Sequence, residues 1–185
     1  IQQGSTTPDK VQHAVSTLLT QVDTLSDIAS SFSSFAKMPE PVIKSIPLIS
    51  LLKRIIALHN LSGTIDLNIT TSEVWVNADE QIVGRTFSNV LLNALQAARA
   101  DMPLHISVSL SIKGSTCIIH VADNGKGIAP EDADKVFTPH FSTKQTGSGL
   151  GLAIARQGME QMGGKIWFET APGNGSVFYI ELPVT

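Results

Sequence analysis

One stretch constrains the fold more than any other: DNGKGIAPEDADKVFTPHFSTKQTGSGLGLA, residues 123–153. An acidic residue and a glycine turn open it, a polar segment with two phenylalanines follows, and a burst of glycines closes it. Glycine is used where backbone must pass close to something or take a positive φ. Two glycine clusters bracketing a polar segment describe a flap hinged at both ends. The rest of the chain must then supply something for the flap to cover.

Asp123 ends an apolar row. Cys117, Ile119, Val121 and Asp123 share one face of a strand by the two-residue period, so the carboxylate points towards the core side. Burying a carboxylate is costly unless it is satisfied. Either backbone amides of an Asp-Asn-Gly turn satisfy it, or a ligand does that donates hydrogen bonds, such as the exocyclic amine of adenine; the residues alone leave both open. Gly125 and Gly127 let backbone approach a flat ligand, and Ile128 can cover its face. Gly147, Gly149 and Gly151 lead through Leu150 into a helix, whose free N-terminal amides suit phosphate, although a flexible loop is the commoner meaning of Gly-x-Gly-x-Gly. In the helical stretch from Asp79, Asn89 and Asn93 stand at i, i+4 beside the apolar stripe of Val83, Phe87, Val90, Leu91 and Ala94. Asparagine is a poor helix former. The pair reads as a solvated or capping pair, or as neutral oxygen ligands for magnesium, which keeps much of its shell as water and nucleotide phosphate.

The surrounding pattern is α+β. After Gly63, TIDLNI and VWVNA read as strands and residues 79–100 as a long helix. LHISVSLSI alternates cleanly, and STCIIHVAD follows Lys113-Gly114 as the second arm of a hairpin. Residues 150–162 read as a helix, and GKIWFET with GSVFYIEL as a closing hairpin through Pro172-Gly173-Asn174-Gly175. This predicts a mostly antiparallel sheet with helices on one face. Upstream, residues 1–9 are a polar lead-in. Val11, Val15, Leu18, Val22, Leu25, Ala29, Phe32 and Ala36 then recur at spacings of four and three, a heptad seam. So narrow a seam calls for a partner helix, expected upstream of Ile1 or in another chain; the alternative is an amphipathic helix lying on its own domain, which usually carries a broader stripe. PEPVIKSIP is a proline-punctuated linker, and LISLLKRIIALHN a short amphipathic helix. The expected organisation is a coiled-coil-like helix over 1–38, linker and short helix over 39–62, and a domain over 63–185.

Composition narrows the function class. The chain has 185 residues, 42% hydrophobic and 16% charged, enough for one core and a small appendage. A net charge of −3 without a basic run gives no nucleic-acid footprint. No run nears the roughly 20 apolar residues that span a bilayer, and no signal peptide is visible, so no membrane contact by this chain is expected. Cys117, the single cysteine, fits a reducing compartment and hence the cytoplasm. A start at Ile1 without methionine suggests a fragment or processed product.

The motifs gain meaning from their order. NVLLNALQA, DNGKGI, VFTPHFSTK, GSGLGLA and GNGSVF together resemble the N, first-glycine, phenylalanine and second-glycine boxes, with a closing glycine element, of sensor histidine kinases. These belong to the ATPase superfamily shared with gyrase, the large heat-shock chaperone and the mismatch-repair MutL proteins. The resemblance covers about residues 66–182. It implies the Bergerat fold, a two-layer α/β sandwich with ATP held beneath a mobile lid, and the flap is then that lid. It further implies that Asp123 accepts from adenine N6, that Gly125 and Gly127 make room for the base, and that Asn93 binds Mg2+ with Asn89 near the phosphates. Phe137 and Phe141 match the phenylalanine box, Lys144 is a candidate phosphate contact, and Gly147, Gly149, Leu150 and Gly151 match the second glycine box. Lys126, Arg156 and His140 are read as surface residues.

The same resemblance makes residues 11–37 the second helix of a dimerisation hairpin, the first helix of which carries the phosphoacceptor histidine. None of the five histidines here has the acidic neighbour and proline of that pattern. The expected function is therefore the catalytic part of a homodimeric histidine kinase, acting on a histidine of the upstream helix for relay to a response regulator receiver domain. Hydrolysing relatives place a glutamate one turn before the magnesium-binding asparagine as general base. Asn89 stands there instead. The alternatives are a non-catalytic nucleotide-binding or interaction module, and a protein-serine kinase of the same superfamily.

Overall fold

The computed structural model describes residues 11–12, 15–19, 21–22, 26, 40–59, 64–144 and 148–184. From residue 40 onward the elements run β1 (Lys44–Pro47), α1 (Leu48–His59), β2 (Ile65–Asn68), β3 (Trp75–Ala78), α2 (Glu80–Leu95), β4 (Ile106–Lys113), β5 (Thr116–Asp123), α3 (Pro130–Ala133), α4 (Gly151–Gln161), β6 (Lys165–Thr170) and β7 (Ser176–Pro183). The main sheet has the order β2-β4-β5-β7-β6, with β2 parallel to β4 and the other pairs antiparallel. On one face α2 lies between α1 and α4 and packs over β5 and β7. The α+β arrangement expected from the periodicities, and the two-layer sandwich implied by the resemblance, are both observed.

Burial follows the strand period. Cys117, Ile119, Val121 and Asp123 of β5 all point inward, as do Phe178, Ile180 and Leu182 of β7. From α2 they meet Val83, Phe87, Val90, Leu91 and Ala94, every one of them buried. The alternation of β4 outlasts the core: Ile106 and Val108 are fully buried, whereas Ile112, near the hairpin tip, is half exposed.

The helix α2 starts where a cap residue stands. Asp79 Oδ1 accepts from the amides of Gln81 (2.9 Å) and Ile82 (3.2 Å), satisfying two orphan donors. Its Oδ2 accepts from Val42 N at 2.8 Å, which ties the preceding segment to the helix start. The helix ends at Leu95, short of the 79–100 reading. The alanines at 97, 98 and 100 carry good helix propensity, but the carbonyl of Ala97 accepts from Lys126 N at 2.9 Å instead of continuing the helical ladder.

The linker reading of residues 39–47 needs correction. Lys44–Pro47 form β1, paired antiparallel with β3 in a separate two-stranded sheet, Lys44 facing Ala78 and Pro47 facing Trp75. Proline is tolerated there because it ends a strand that has a partner on one side only. An isolated bridge between Val76 and Val184 joins this small sheet to the end of β7. Of the heptad positions, Val11, Val15, Leu18 and Val22 are helical and exposed. Leu25, Ala29, Phe32 and Ala36 lie outside the described residues.

Candidate functional site

The two faces of α2 have different neighbours. Its apolar stripe enters the core, while Asn89, Asn93 and, just past the helix end, Gln96 border a cavity of about 530 Å3. Asn89 Nδ2 donates to the carbonyl of Gly151 at 3.0 Å, so this side chain tethers the first turn of α4. A Cβ on Gly151 would lie 3.3 Å from Asn89 Cγ, which keeps that turn close to α2. Asn93 Oδ1 accepts from Lys144 Nζ at 2.7 Å, and Gln96 Oε1 accepts from the same ammonium at 2.6 Å. Burial, and secondarily the charge of Lys126, hold the Lys144 amine below its ordinary pKa.

Asp123 lies on the cavity floor at the end of β5, with 9% of its surface exposed. Its Oδ1 accepts from Gly125 N at 2.8 Å, and the Ser176 amide adds a second hydrogen bond. Burial nevertheless dominates and pushes its pKa above the usual carboxylate range. The turn, one of the two alternatives on sequence, is formed, and the same residue also lines the cavity. Asn124 acts elsewhere. Its Oδ1 accepts from His105 N and its Nδ2 donates to Pro103 O, fastening the loop before β4.

The glycines next to Asp123 are demanded by the protein itself. A Cβ at Gly125 would stand 2.4 Å from Ala97 O, and one at Gly127, where φ is +71°, 2.5 Å from Ala171 O. The loop is thereby pressed between the end of α2 and the β6–β7 turn. Behind it Thr170 Oγ1 accepts from Ile128 N (2.9 Å), donates to Gly175 O (3.1 Å) and lies 2.9 Å from Ser176 Oγ.

Nine of the sequence candidates converge on this cavity. Asn89, Asn93, Asp123, Gly127, Ile128, Phe141, Lys144, Gly149 and Gly151 all line it. Gly125, Phe137 and Leu150 stand behind the wall. Phe137 packs against Phe168, 5.9 Å between centroids, with the Arg156 guanidinium 5.6 Å above its ring. Leu150 is buried at the start of α4. Gly147 lies outside the described residues. Lys126, expected on the surface, lines the cavity as well, as do Gln96, Ser142, Thr143 and Ser176, which sequence reasoning passed over. Gln96 could have been found, since it follows Asn93 at i+3 on the same helical face.

The cavity can hold a flat, hydrogen-bond-donating group at Asp123 and a cation at Asn93 and Gln96. A buried acceptor and a cation seat at separate points of one predominantly apolar cleft describe a small-molecule site. Over residues 78–185 the sequence matches the family described as "Histidine kinase-, DNA gyrase B-, and HSP90-like ATPase". The chain belongs to that family.

Its relatives of known name include sensor histidine kinases. Sensor histidine kinase ZraS of Escherichia coli (strain K12) is 34% identical over 89% of this chain and 36% of that protein. Nitrogen regulation protein NtrY of Azorhizobium caulinodans is 31% identical over 86% of this chain and 22% of its own length. The chain thus spans little more than a third of these curated relatives at most. The catalytic domain of histidine kinase ThkA superposes with a TM-score of 0.67 at 28% identity, covering 76% of this chain and 95% of that one. Among the described residues no helix is long and apolar enough to cross a membrane.

The raised pKa of Asp123 has a consequence for stability. A carboxyl with its folded pKa raised contributes stability at low pH that is lost as pH rises through the folded pKa. Asp123→Asn, which cannot ionise, is therefore expected to gain on the wild type as pH rises from about 4 towards neutral. Urea midpoints of the two proteins at pH 4 and pH 7 measure this. If the wild type instead gains on Asp123→Asn between pH 4 and pH 7, burial does not raise the Asp123 pKa in the folded protein.

Proposed function

We propose that this chain is the catalytic, ATP-binding part of a sensor histidine kinase, with residues 1–38 contributing the second helix of its dimerisation hairpin. The observation that carries the reading is the pairing of one buried carboxylate with one cation seat in the same cavity. Asp123 would accept from the amine of adenine, and Asn93 would hold Mg2+. The Lys144 ammonium on Asn93 Oδ1 supports that fit, because it is a cation already resting on the oxygen concerned. Neutral amide oxygens suit a hard ion that brings phosphate and water as its other ligands. The metal would neutralise charge on the phosphates; positioning is left to the chain. Lys144 and Lys126, which line the cavity, would face the phosphates, and Gly149 and Gly151 would bring the first turn of α4 near them.

Phosphoryl transfer rather than hydrolysis follows from what Asn89 does. Its amide nitrogen is committed to Gly151 O, and an amide is no base for water at neutral pH. Among the described residues, the carboxylates lining the cavity are the buried Asp123 and Asp132, which pairs with Lys135 at 3.8 Å. Neither stands beside Asn93 on α2. In this reading an imidazole nitrogen of a histidine on the upstream helix attacks the γ-phosphorus. The bond to the β–γ bridging oxygen breaks, ADP leaves, and the imidazole proton passes to solvent. Such transfer is carried mainly by positioning and charge neutralisation. Onward relay to a response regulator is supported by ThkA, which has been crystallised with the response regulator protein TrrA. Cytoplasmic location and a homodimeric parent complete the reading.

Isothermal titration tests the base pocket. ATP and ADP should bind in preference to GTP, whose exocyclic groups present an acceptor where adenine presents a donor. Asp123→Asn should weaken ATP by roughly 1–3 kcal/mol, the cost of mispairing a buried polar group. Equal affinity for GTP, or an unweakened variant, removes adenine from Asp123.

A further inference from the structure

The cation seat contains a residue that the family reading leaves without a role. Gln96 Oε1 and Asn93 Oδ1, three positions apart at the end of α2, converge on Lys144 Nζ at 2.6 and 2.7 Å. Lys144 is partly buried, and the acceptors seen for its ammonium are these two neutral amide oxygens. Neutral acceptors hold an ammonium less firmly than a carboxylate would. The charge of Lys126 also acts on Lys144 with the same sign. This is a hold suited to release.

Resting on the nucleotide reading above, we infer that Gln96 and Asn93 form a clasp for Lys144 that Mg2+-nucleotide opens, so that metal loading and the position of the segment before residue 145 are coupled. Gln96 is then a positioning residue. An oxygen that coordinates a divalent ion cannot also bind an ammonium without placing like charges in contact. The two cations therefore compete for Asn93, and Gln96 favours the lysine in that competition. Displacement of Lys144 Nζ must reach the backbone nearby. Lys144 N donates to Ser142 Oγ at 3.1 Å, closing a tight local turn. Gly149, with φ of +64°, passes so close over residues 140–141 that a Cβ would stand 2.7 Å from His140 C and from Phe141 O. Movement of the lysine is in this way linked to the residues that enter α4.

Amide hydrogen exchange of residues 138–144 in the 185-residue chain tests the clasp, with β5 peptides as the internal check of folding. In the nucleotide-free chain, Gln96→Leu should speed exchange about tenfold by removing one hydrogen bond to a charged group, and Lys144→Met, which loses the bonds to both Asn93 and Gln96, at least as much. The double variant should match Lys144→Met, because that change already deletes the Gln96 contact. Gln96→Glu, which keeps an acceptor oxygen, should retain slow exchange. Saturating ATP in EDTA should leave the difference between Gln96→Leu and wild type in place, and ATP with Mg2+ should erase it. Unchanged exchange in nucleotide-free Gln96→Leu overturns the clasp. A Gln96 effect that persists under Mg2+-ATP overturns the exchange of cations. Failure of the nucleotide reading is seen separately, as absence of calorimetric heat on adding Mg2+-ATP to the wild type.

Discussion

Asn93→Ala is expected to slow, by about 10²–10³, phosphoryl transfer from ATP to a separate protein that carries the complete two-helix hairpin with its histidine. The variant loses the amide oxygen proposed for Mg2+ and the one on which Lys144 rests. Removing one preorganised electrostatic contact from a site of this kind costs about 10²–10³ in rate. The fold should survive, because Asn93 is only partly buried and stands beside the core stripe of α2, outside it. The measurement is transfer of label from radiolabelled ATP, scored as acid-labile phosphate, with circular dichroism confirming the helix. Wild-type chain alone should acquire no such label, because none of its five histidines has the phosphoacceptor context. Acid-labile label on the chain itself would place the acceptor within it. Brisk phosphate release without any partner would make it a hydrolase, contrary to the role given to Asn89.

Gly175→Ala should both destabilise the domain and displace Asp123. Gly175 sits at φ +86°, and a Cβ there would fall 1.9 Å from the backbone oxygen of Asp123 and 2.7 Å from its carbonyl carbon. The backbone strain alone costs on the order of 1–3 kcal/mol. Relieving the clash by moving a strand adds roughly 1–3 kcal/mol, as for other overpacked sites. Gly173→Ala is the control. It shares a positive φ, +78°, but nothing lies within 4 Å of its added Cβ, so only the conformational part applies. Urea denaturation should rank wild type above Gly173→Ala, and that above Gly175→Ala. Titration with ATP should show loss of affinity in Gly175→Ala alone. Equal behaviour of the two alanine variants would mean that the β6–β7 turn does not hold Asp123 in place.

Much of this domain is determined by short-range pattern. The two-residue period of β5 aims Asp123 into the molecule, and the four-residue spacing of Asn89 and Asn93 puts them on one helical face, whatever else the chain does. The hairpins through Gly114 and through residues 171–175 announce themselves by their turn residues. What the tertiary structure decided rests on contacts between residues far apart in the chain. The strand β1 exists because Lys44–Pro47 find Trp75–Ala78 much later in the chain, which the surrounding prolines had concealed. Gly125 is required first by Ala97, far away in the chain, in addition to the local crowding by Asp123 Oδ1. Lys144 meets Asn93 and Gln96 across 51 and 48 residues, so no local period could have paired them. Periodicity fixes which way a side chain points relative to its own element. Only the packing of elements decides what it meets there, because that depends on loop closures and long-range hydrogen bonds with no signature in a short window of sequence.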